Sequence, residues 1–174
     1  GIKYFEEAKR NVKVIPVQTQ ATPELQQKIK ETLKKAFWDL LEEELNSVPA
    51  KFDQLKIILN DLNSYLKSLI PNRKDLHKEI NEYLDGDFIT QLIEQNVFDD
   101  EKIFNTMIYI ISWIKKLQAP EDDKDTLEWE HKLKNLQEVE LSKVLRDFFE
   151  ITFQKLDKIN IFRKTLLDEL SKKK

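Results

Sequence analysis

The chain contains no cysteine, two glycines, five prolines and one methionine in 174 residues. Without cysteine there is no disulfide, no thiolate nucleophile and no Cys-ligated zinc or iron–sulfur site. Gly1 and Gly86 are the only glycines, so no loop can bring bare backbone close around a phosphate, and Rossmann and P-loop chemistry are excluded. There is no Asn-x-Ser/Thr acceptor either, and a cytoplasmic location is expected. Basic residues number 29 and acidic residues 32, for a net charge of −3. The two signs are interspersed, so there is no positive field to attract nucleic acid, which is not an expected partner. The longest apolar stretch, Ile103 to Leu117, is interrupted by Asn105, Thr106, Lys115 and Lys116. It falls short of the roughly 20 residues that a membrane span requires. The first ten residues carry glutamates and no apolar run of signal-peptide length, so secretion is not expected.

What is present is helical periodicity. With 40% hydrophobic and 35% charged residues, one domain with a sizeable core is expected. Thr22-Pro23-Glu24 reads as a helix start, combining a hydroxyl cap, a proline at the first helical position and an acid at the positive dipole end. Leu25, Ile29, Leu33, Phe37, Leu40, Leu41 and Leu45 then share a face as far as Asn46. Phe52 to Ile70 repeats apolar residues every three or four positions up to Pro71. Asn72 is the expected cap of a third helix, with Gly86 as its left-handed C-terminal residue and Asp87 restarting a short fourth. Asn96 is the expected terminator of that helix, before a cap at Asp99 or Asp100.

Apolar residues between Ile103 and Leu117 cover most of the helix circumference, so this element is expected to be surrounded by others. Pro120 ends it. Glu121, Asp122, Asp123 and Asp125 then cap and charge a helix expected to face inward with Leu127, Leu133 and Leu136. From Leu141 the pattern runs past Asn160 without a breaker, as one very long helix or two. The expected fold class is all-α, a single-domain bundle of about seven helices with a nearly fully buried central helix at about 100–118. Residues 1–21 read as an N-terminal arm, 22–160 as the helical domain and 161–174 as a basic amphipathic C-terminal tail.

No complete catalytic or metal set is found. Glu128 and His131 form half of the Glu-x-x-His pair of di-iron bundles, but His77, the other histidine, follows Lys74 at that spacing. No metal and no cofactor are therefore expected. The runs Glu42–Glu44 and Glu121–Asp125 read as solvated carboxylates, whereas catalytic pairs need environments that drive their pKa values apart. Trp38 and Trp113 lie in apolar helices and read as core, but Trp129 stands among Glu128, Glu130 and His131. A half-exposed tryptophan is a natural anchor for a partner protein. The expected partner-binding set is Trp129, His131, Glu121, Asp122 and Asp123, with Trp129→Ala weakening partner capture at little loss of stability. The tail mixes Ile161, Phe162, Leu166, Leu167 and Leu170 with Arg163, Lys164 and the lysines at 172–174. Such a stretch suits a membrane surface or a partner groove.

The string Ala36-Phe37-Trp38-Asp39-Leu40-Leu41-Glu42-Glu43-Glu44-Leu45, with Pro49 four residues on, resembles the opening of the T-complex protein 11 family domain. Further landmarks follow in family order. Leu69-Ile70-Pro71 resembles its Leu-Leu-Pro helix end, and Glu79-Ile80 with Leu84-Asp85 its acidic helix. Leu117-Gln118-Ala119-Pro120 resembles its Cys-Ala-Pro-x-Arg-Asp turn, and Leu156-Asp157-Lys158-Ile159-Asn160 its Leu-Asp-x-x-Asn segment. The chain departs from that turn at Gln118, where the family usually has Cys. It departs again at Glu121 and Asp122, where the family tends to have an apolar residue and Arg, so Asp123 is the matching acid. The resemblance implies a helical, non-enzymatic protein linked to cyclic-AMP-dependent kinase signalling and, in animals, to sperm function. The expected function is an intracellular protein-interaction module whose partners include kinase-pathway components, and the rival expectation is a membrane-associated helical protein using its basic tail.

Overall fold

The computed structural model describes residues 22–137 and 139–172. The arm expected over 1–21 lies outside the described residues, as does the extreme end of the tail. Among the described residues there are seven α-helices and no strand. They are α1 (Pro23–Asn46), α2 (Asp53–Leu69), α3 (Lys74–Tyr83), α4 (Gly86–Glu94), α5 (Asp100–Leu117), α6 (Asp123–Lys134) and α7 (Leu141–Lys172), with a 3-10 turn at Pro120–Asp122 before α6.

The ends of α1 and α5 follow from their first residues. Thr22 accepts a hydrogen bond from the Leu25 N–H at 3.2 Å with Pro23 at the first helical position, and Asp99 accepts one from the Lys102 N–H at 3.0 Å. Asn96 is the one non-glycine at positive φ among the described residues, at 59°, the left-handed turn that asparagine tolerates.

Two expected turns differ. Arg73, not Asn72, is the cap residue of α3, and its guanidinium grips Asp75 at 3.0 Å. Gly86 does not end α3. It is the first residue of α4, with Asp85 accepting from the Phe88 N–H at 3.1 Å as the cap. Its lack of a side chain serves close approach to α2: a Cβ there would meet the Lys56 carbonyl oxygen at 2.6 Å and Asn60 Oδ1 at 2.7 Å. The contact is fixed from α2, since Asn60 Oδ1 accepts the Gly86 N–H at 2.9 Å and Asn63 Nδ2 donates to the Leu84 carbonyl at 2.8 Å.

The central position belongs to α2 rather than to the helix at about 100–118. α2 packs against α1, α3, α4 and α7 and buries Leu55, Ile58, Leu59, Leu62, Leu66 and Leu69. In α5, full burial is confined to Met107, Ile110, Ile111, Trp113 and Ile114. Ile103, Phe104, Ile108, Tyr109 and Leu117 pack against the core but are only half-buried; on this flank the Tyr109 ring stacks on Tyr83 and its hydroxyl donates to Glu79. Trp38 and Trp113 are core residues, as expected.

α7 is a single helix of 32 residues that runs antiparallel to α1. Ser142 donates to Asn46 at 2.9 Å, Arg146 pairs with Glu42 at 2.7 Å and Asp39 at 2.8 Å, and Phe153 meets Trp38. The Glu42–Glu44 run is therefore not a solvated face. Glu42 is held by Arg146. Glu44 is buried beneath the start of α2, where it accepts the Gln54 N–H at 3.2 Å, and burial raises its pKa above the ordinary carboxylate value.

Replacing Ile111 or Phe149 by alanine is expected to lower unfolding free energy by about 2–5 kcal/mol each through the cavity left behind. Urea unfolding checks this, and a loss under about 1 kcal/mol at both would move them out of the core. Gly86→Ala is expected to destabilise, although alanine is ordinarily the better helix former by about 1 kcal/mol. A gain in melting temperature would show that α2 and α4 can separate without penalty.

Candidate functional site

α6 carries an unusual face. The residues it buries are Thr126, Glu130 and Leu133, two of them polar, while Leu127 and Leu136 are exposed. The expected apolar face of Leu127, Leu133 and Leu136 is thus corrected by about one residue. Polar groups point inward because α5 and α7 supply their partners. Glu130 is bonded by Lys115 of α5 at 2.7 Å and by Lys134 at 3.5 Å. Thr126, fully buried, donates to Gln118 Oε1 at 2.7 Å and accepts from Lys155 of α7 at 3.2 Å. Gln118 in turn donates to Asp123 at 2.8 Å.

Between α6 and α7 lies an open groove of about 480 Å³. Trp129, Ile151 and Ile159 form its apolar floor, and Gln118 and Gln154 its polar sides. Three lysines, Lys132, Lys155 and Lys158, are matched by Asp122, Asp125 and Glu128. Most of these charges are already satisfied within the chain: Lys155 pairs with Asp125 at 2.6 Å and Lys158 with Asp122 at 2.6 Å. The Lys155 hydrogen bond holds the Asp125 carboxyl below its ordinary value, and Asp122 holds the Lys158 ammonium above its own. Glu128 and Lys132, on the rim, enter no ion pair among the described residues. The groove therefore offers apolar contact and a few free polar groups, without a net field.

The expected partner-binding residues divide here. Trp129 and Asp122 line the groove, but Glu121, Asp123 and His131 do not. Glu121 and Asp123 are exposed on the turn, and Asp122 makes no side-chain cap bond to α6, being drawn instead to Lys158. His131 lies on the outer side of α6, beside a shallow depression with Lys124 and Leu127. Trp129 is half-buried and packed on its inner side. Its ring stacks on fully buried Phe148 at 5.3 Å with 21° between planes, and Lys155 Nζ stands 5.5 Å from the ring. Loss of its side chain therefore removes packing, contrary to the expectation of little structural effect. The other wall, Ile151, Gln154, Lys155 and Lys158, escaped the sequence reading, although its spacing of three and four residues along α7 was the available signal. No group of three His, Cys, Asp or Glu that could hold a metal occurs among the described residues. A second cavity, apolar and about 30 Å³, lies between α2, α4, α5 and α7 and has room for about one water.

A family model described as T-complex protein 11 matches residues 10–161. The chain belongs to the T-complex protein 11 family. It is 31% identical over 138 residues to the T-complex protein 11 homolog of Homo sapiens, covering 78% of this chain and 26% of that protein. To T-complex protein 11 of Mus musculus it is 29% identical over 148 residues, covering 84% and 25%. To the T-complex protein 11-like X-linked protein 1 of Homo sapiens it is 35% identical over 95 residues, covering 54% and 18%. The chain thus spans about a quarter of the length of the first two relatives. No solved structure matches. The family landmarks fall mainly on core and helix ends: Phe37, Trp38 and Leu41 are buried in α1, Ile70 and Pro71 follow α2, and Leu156 and Ile159 are buried in α7. The turn around Gln118 is the landmark that borders the groove; of the three departures there, Gln118 and Asp122 are engaged in its network and Glu121 is exposed outside it.

Glu130→Gln is expected to reduce stability by about 1 kcal/mol at neutral pH, since it removes the charge of the buried Glu130 carboxylate that Lys115 and Lys134 bond. The Lys115 hydrogen bond lowers the Glu130 pKa. The carboxylate therefore contributes fully above its ordinary value and loses that contribution as pH falls through the lowered one. Thermal unfolding of both proteins across this range should show the difference shrinking toward acid, and a constant difference would remove Glu130 from the linkage.

Proposed function

We propose that the chain is a non-enzymatic, intracellular protein-interaction module of the T-complex protein 11 type, which docks a partner protein over Trp129 in the groove between α6 and α7. The observation that carries this reading is the groove's composition, an apolar floor bordered by charges that are largely neutralised within the chain. A polyanion would need a net positive field, which balanced charges do not provide. A protein segment needs a desolvated apolar anchor and a rim of hydrogen-bonding groups. Trp129 supplies the first, and Glu128, Lys132 and Gln154 supply the second. Family membership supports a role in signalling, with components of the cyclic-AMP-dependent kinase pathway as the partners to try first.

Purified regulatory and catalytic kinase subunits, immobilised separately, would be probed with wild type, Lys132→Glu, Glu128→Lys and Trp129→Ala. Binding of wild type to one subunit should weaken roughly tenfold or more in the rim variants, with their melting temperatures unchanged. Trp129→Ala should lose both binding and about 2–4 kcal/mol of stability. Failure of wild type to bind either subunit discards the kinase partners. Binding that is indifferent to both rim variants moves the docking surface away from the groove.

A further inference from the structure

The two walls of the α6–α7 groove repeat one pattern. Asp125, Glu128, Trp129 and Lys132 of α6 stand at i, i+3, i+4 and i+7. Ile151, Gln154, Lys155 and Lys158 of α7 stand at the same intervals, with Ile159 one residue further. Each wall is therefore a single helical face. α5 packs against both helices, whereas α6 and α7 share few close backbone approaches, so the two faces stand apart as the sides of a trough. Seven or eight residues of helix rise about 10–12 Å, which sets the trough at roughly two turns.

An occupant brings a main chain as well as side chains. Every residue laid down in extended form carries an N–H and a C=O that lose water on docking and need partners. A sheet edge supplies such partners in a row. These walls cannot, because nine of the eleven lining residues lie within α6 and α7, where main-chain groups are bonded along the helix itself. The polar side chains are mostly committed too: Lys155 to Asp125 and Thr126, Lys158 to Asp122, and Gln118 to Asp123 and Thr126. A segment that fits must satisfy its backbone internally, as a helix does. Its ridges also enter the spaces between side chains three and four apart on each wall.

The remaining charges set the pattern of that helix. Glu128 and Lys132 stand one turn apart on the rim, both exposed, and neither enters an ion pair among the described residues. A guest helix complements them with a basic residue toward Glu128 and an acidic residue toward Lys132. A phosphate-bearing surface meets Asp122, Asp125 and Glu128 along with the lysines and gains no net attraction.

Resting on the docking reading above, we infer that the partner segment is an amphipathic α-helix laid between α6 and α7. Its apolar residues, at i, i+3 or i+4 and i+7, cover Trp129 and Ile151. A basic and an acidic residue one turn apart pair with Glu128 and Lys132.

Two displayed libraries of peptides of about 20 residues, long enough to form a helix on docking, test this on the immobilised 174-residue chain. One library places apolar residues at helical spacing, and the other alternates apolar and polar residues. Binders are expected from the helical library. They should gain helix by circular dichroism on binding and weaken roughly tenfold or more when a central residue becomes proline. They should shift Trp129 emission to shorter wavelength, since Trp38 and Trp113 are already buried, and the shift should vanish in Trp129→Phe. Lys132→Glu should weaken binding on the order of tenfold, and a lysine in place of the peptide's facing acid should restore it. Binders that come from the alternating library, or that ignore proline, overturn the helix and leave the docking groove in place. Helical binders indifferent to Lys132→Glu and Glu128→Lys, and silent in Trp129 emission, overturn both. Absence of binders from both libraries overturns the helix alone, because the kinase-subunit assay decides the groove separately. Dimers of the chain by itself, lost in Lys132→Glu, would overturn it in favour of a second copy as occupant.

Discussion

The bundle depends on burial of one side of α7. Leu145, Phe149, Leu156 and Ile159 lie along a single stripe with Phe148 and Phe153 beside it, all nearly inaccessible, and α1, α2 and α5 pack onto this helix. Fully burying each large apolar side chain contributes about 1.5–3 kcal/mol, so this one stripe exceeds any ion pair in the structure as a source of stability. The Arg146 pairs with Asp39 and Glu42 and the Tyr65–Asp157 hydrogen bond at 2.7 Å set the direction and register of neighbours that the stripe has already attracted.

α6 is held differently, which is why the groove is beside it. A helix whose inward residues are Thr126, Glu130 and Leu133 cannot be attached by apolar burial alone. It is tied on by Lys115, Gln118 and Lys155, each satisfying a polar group that would otherwise be stranded away from water. Such an attachment is directional. It fixes α6 at its buried edge and leaves its other edge standing off α7, with the Trp129–Phe148 stack and the Lys155–Asp125 pair bridging the gap. The groove is the space that this one-sided attachment leaves.

The elements held by apolar periodicity were legible in the sequence. The α1 boundaries followed from Thr22-Pro23, the end of α2 from Pro71, and the cap of α5 from Asp99, because each of these signals acts within one turn of the chain. α6 was misread because its inward face is polar, and polarity at Thr126 and Glu130 is meaningful only once Gln118, Lys155 and Lys115 are seen facing them. Gly86 was misread for a similar reason. A lone glycine after a helical pattern signals a left-handed cap, and nothing local reveals that the Lys56 carbonyl of another helix takes up the space where a Cβ would stand. The burial of α5 was overstated because apolar residues around a helix report what it could bury, whereas the number of neighbours decides what it does bury. Of the groove, Trp129 and Asp122 were found by composition and the α7 wall was not, since a groove is a property of two helices and a sequence pattern describes one.

Charge interspersion along the chain conceals two different arrangements. At the groove, Asp122, Asp125, Lys155 and Lys158 neutralise one another within the molecule, so their effect on a partner is short-ranged and their contribution is to hold the walls. Past Ile159, Arg163, Lys164, Asp168 and Glu169 flank apolar residues and have no such internal pairing. Charges already paired give little selectivity, because a partner must break existing bonds to form new ones. A net charge near zero therefore does not make the surface uniform: most of the charges that line the groove are neutralised in pairs, and those past Ile159 are not.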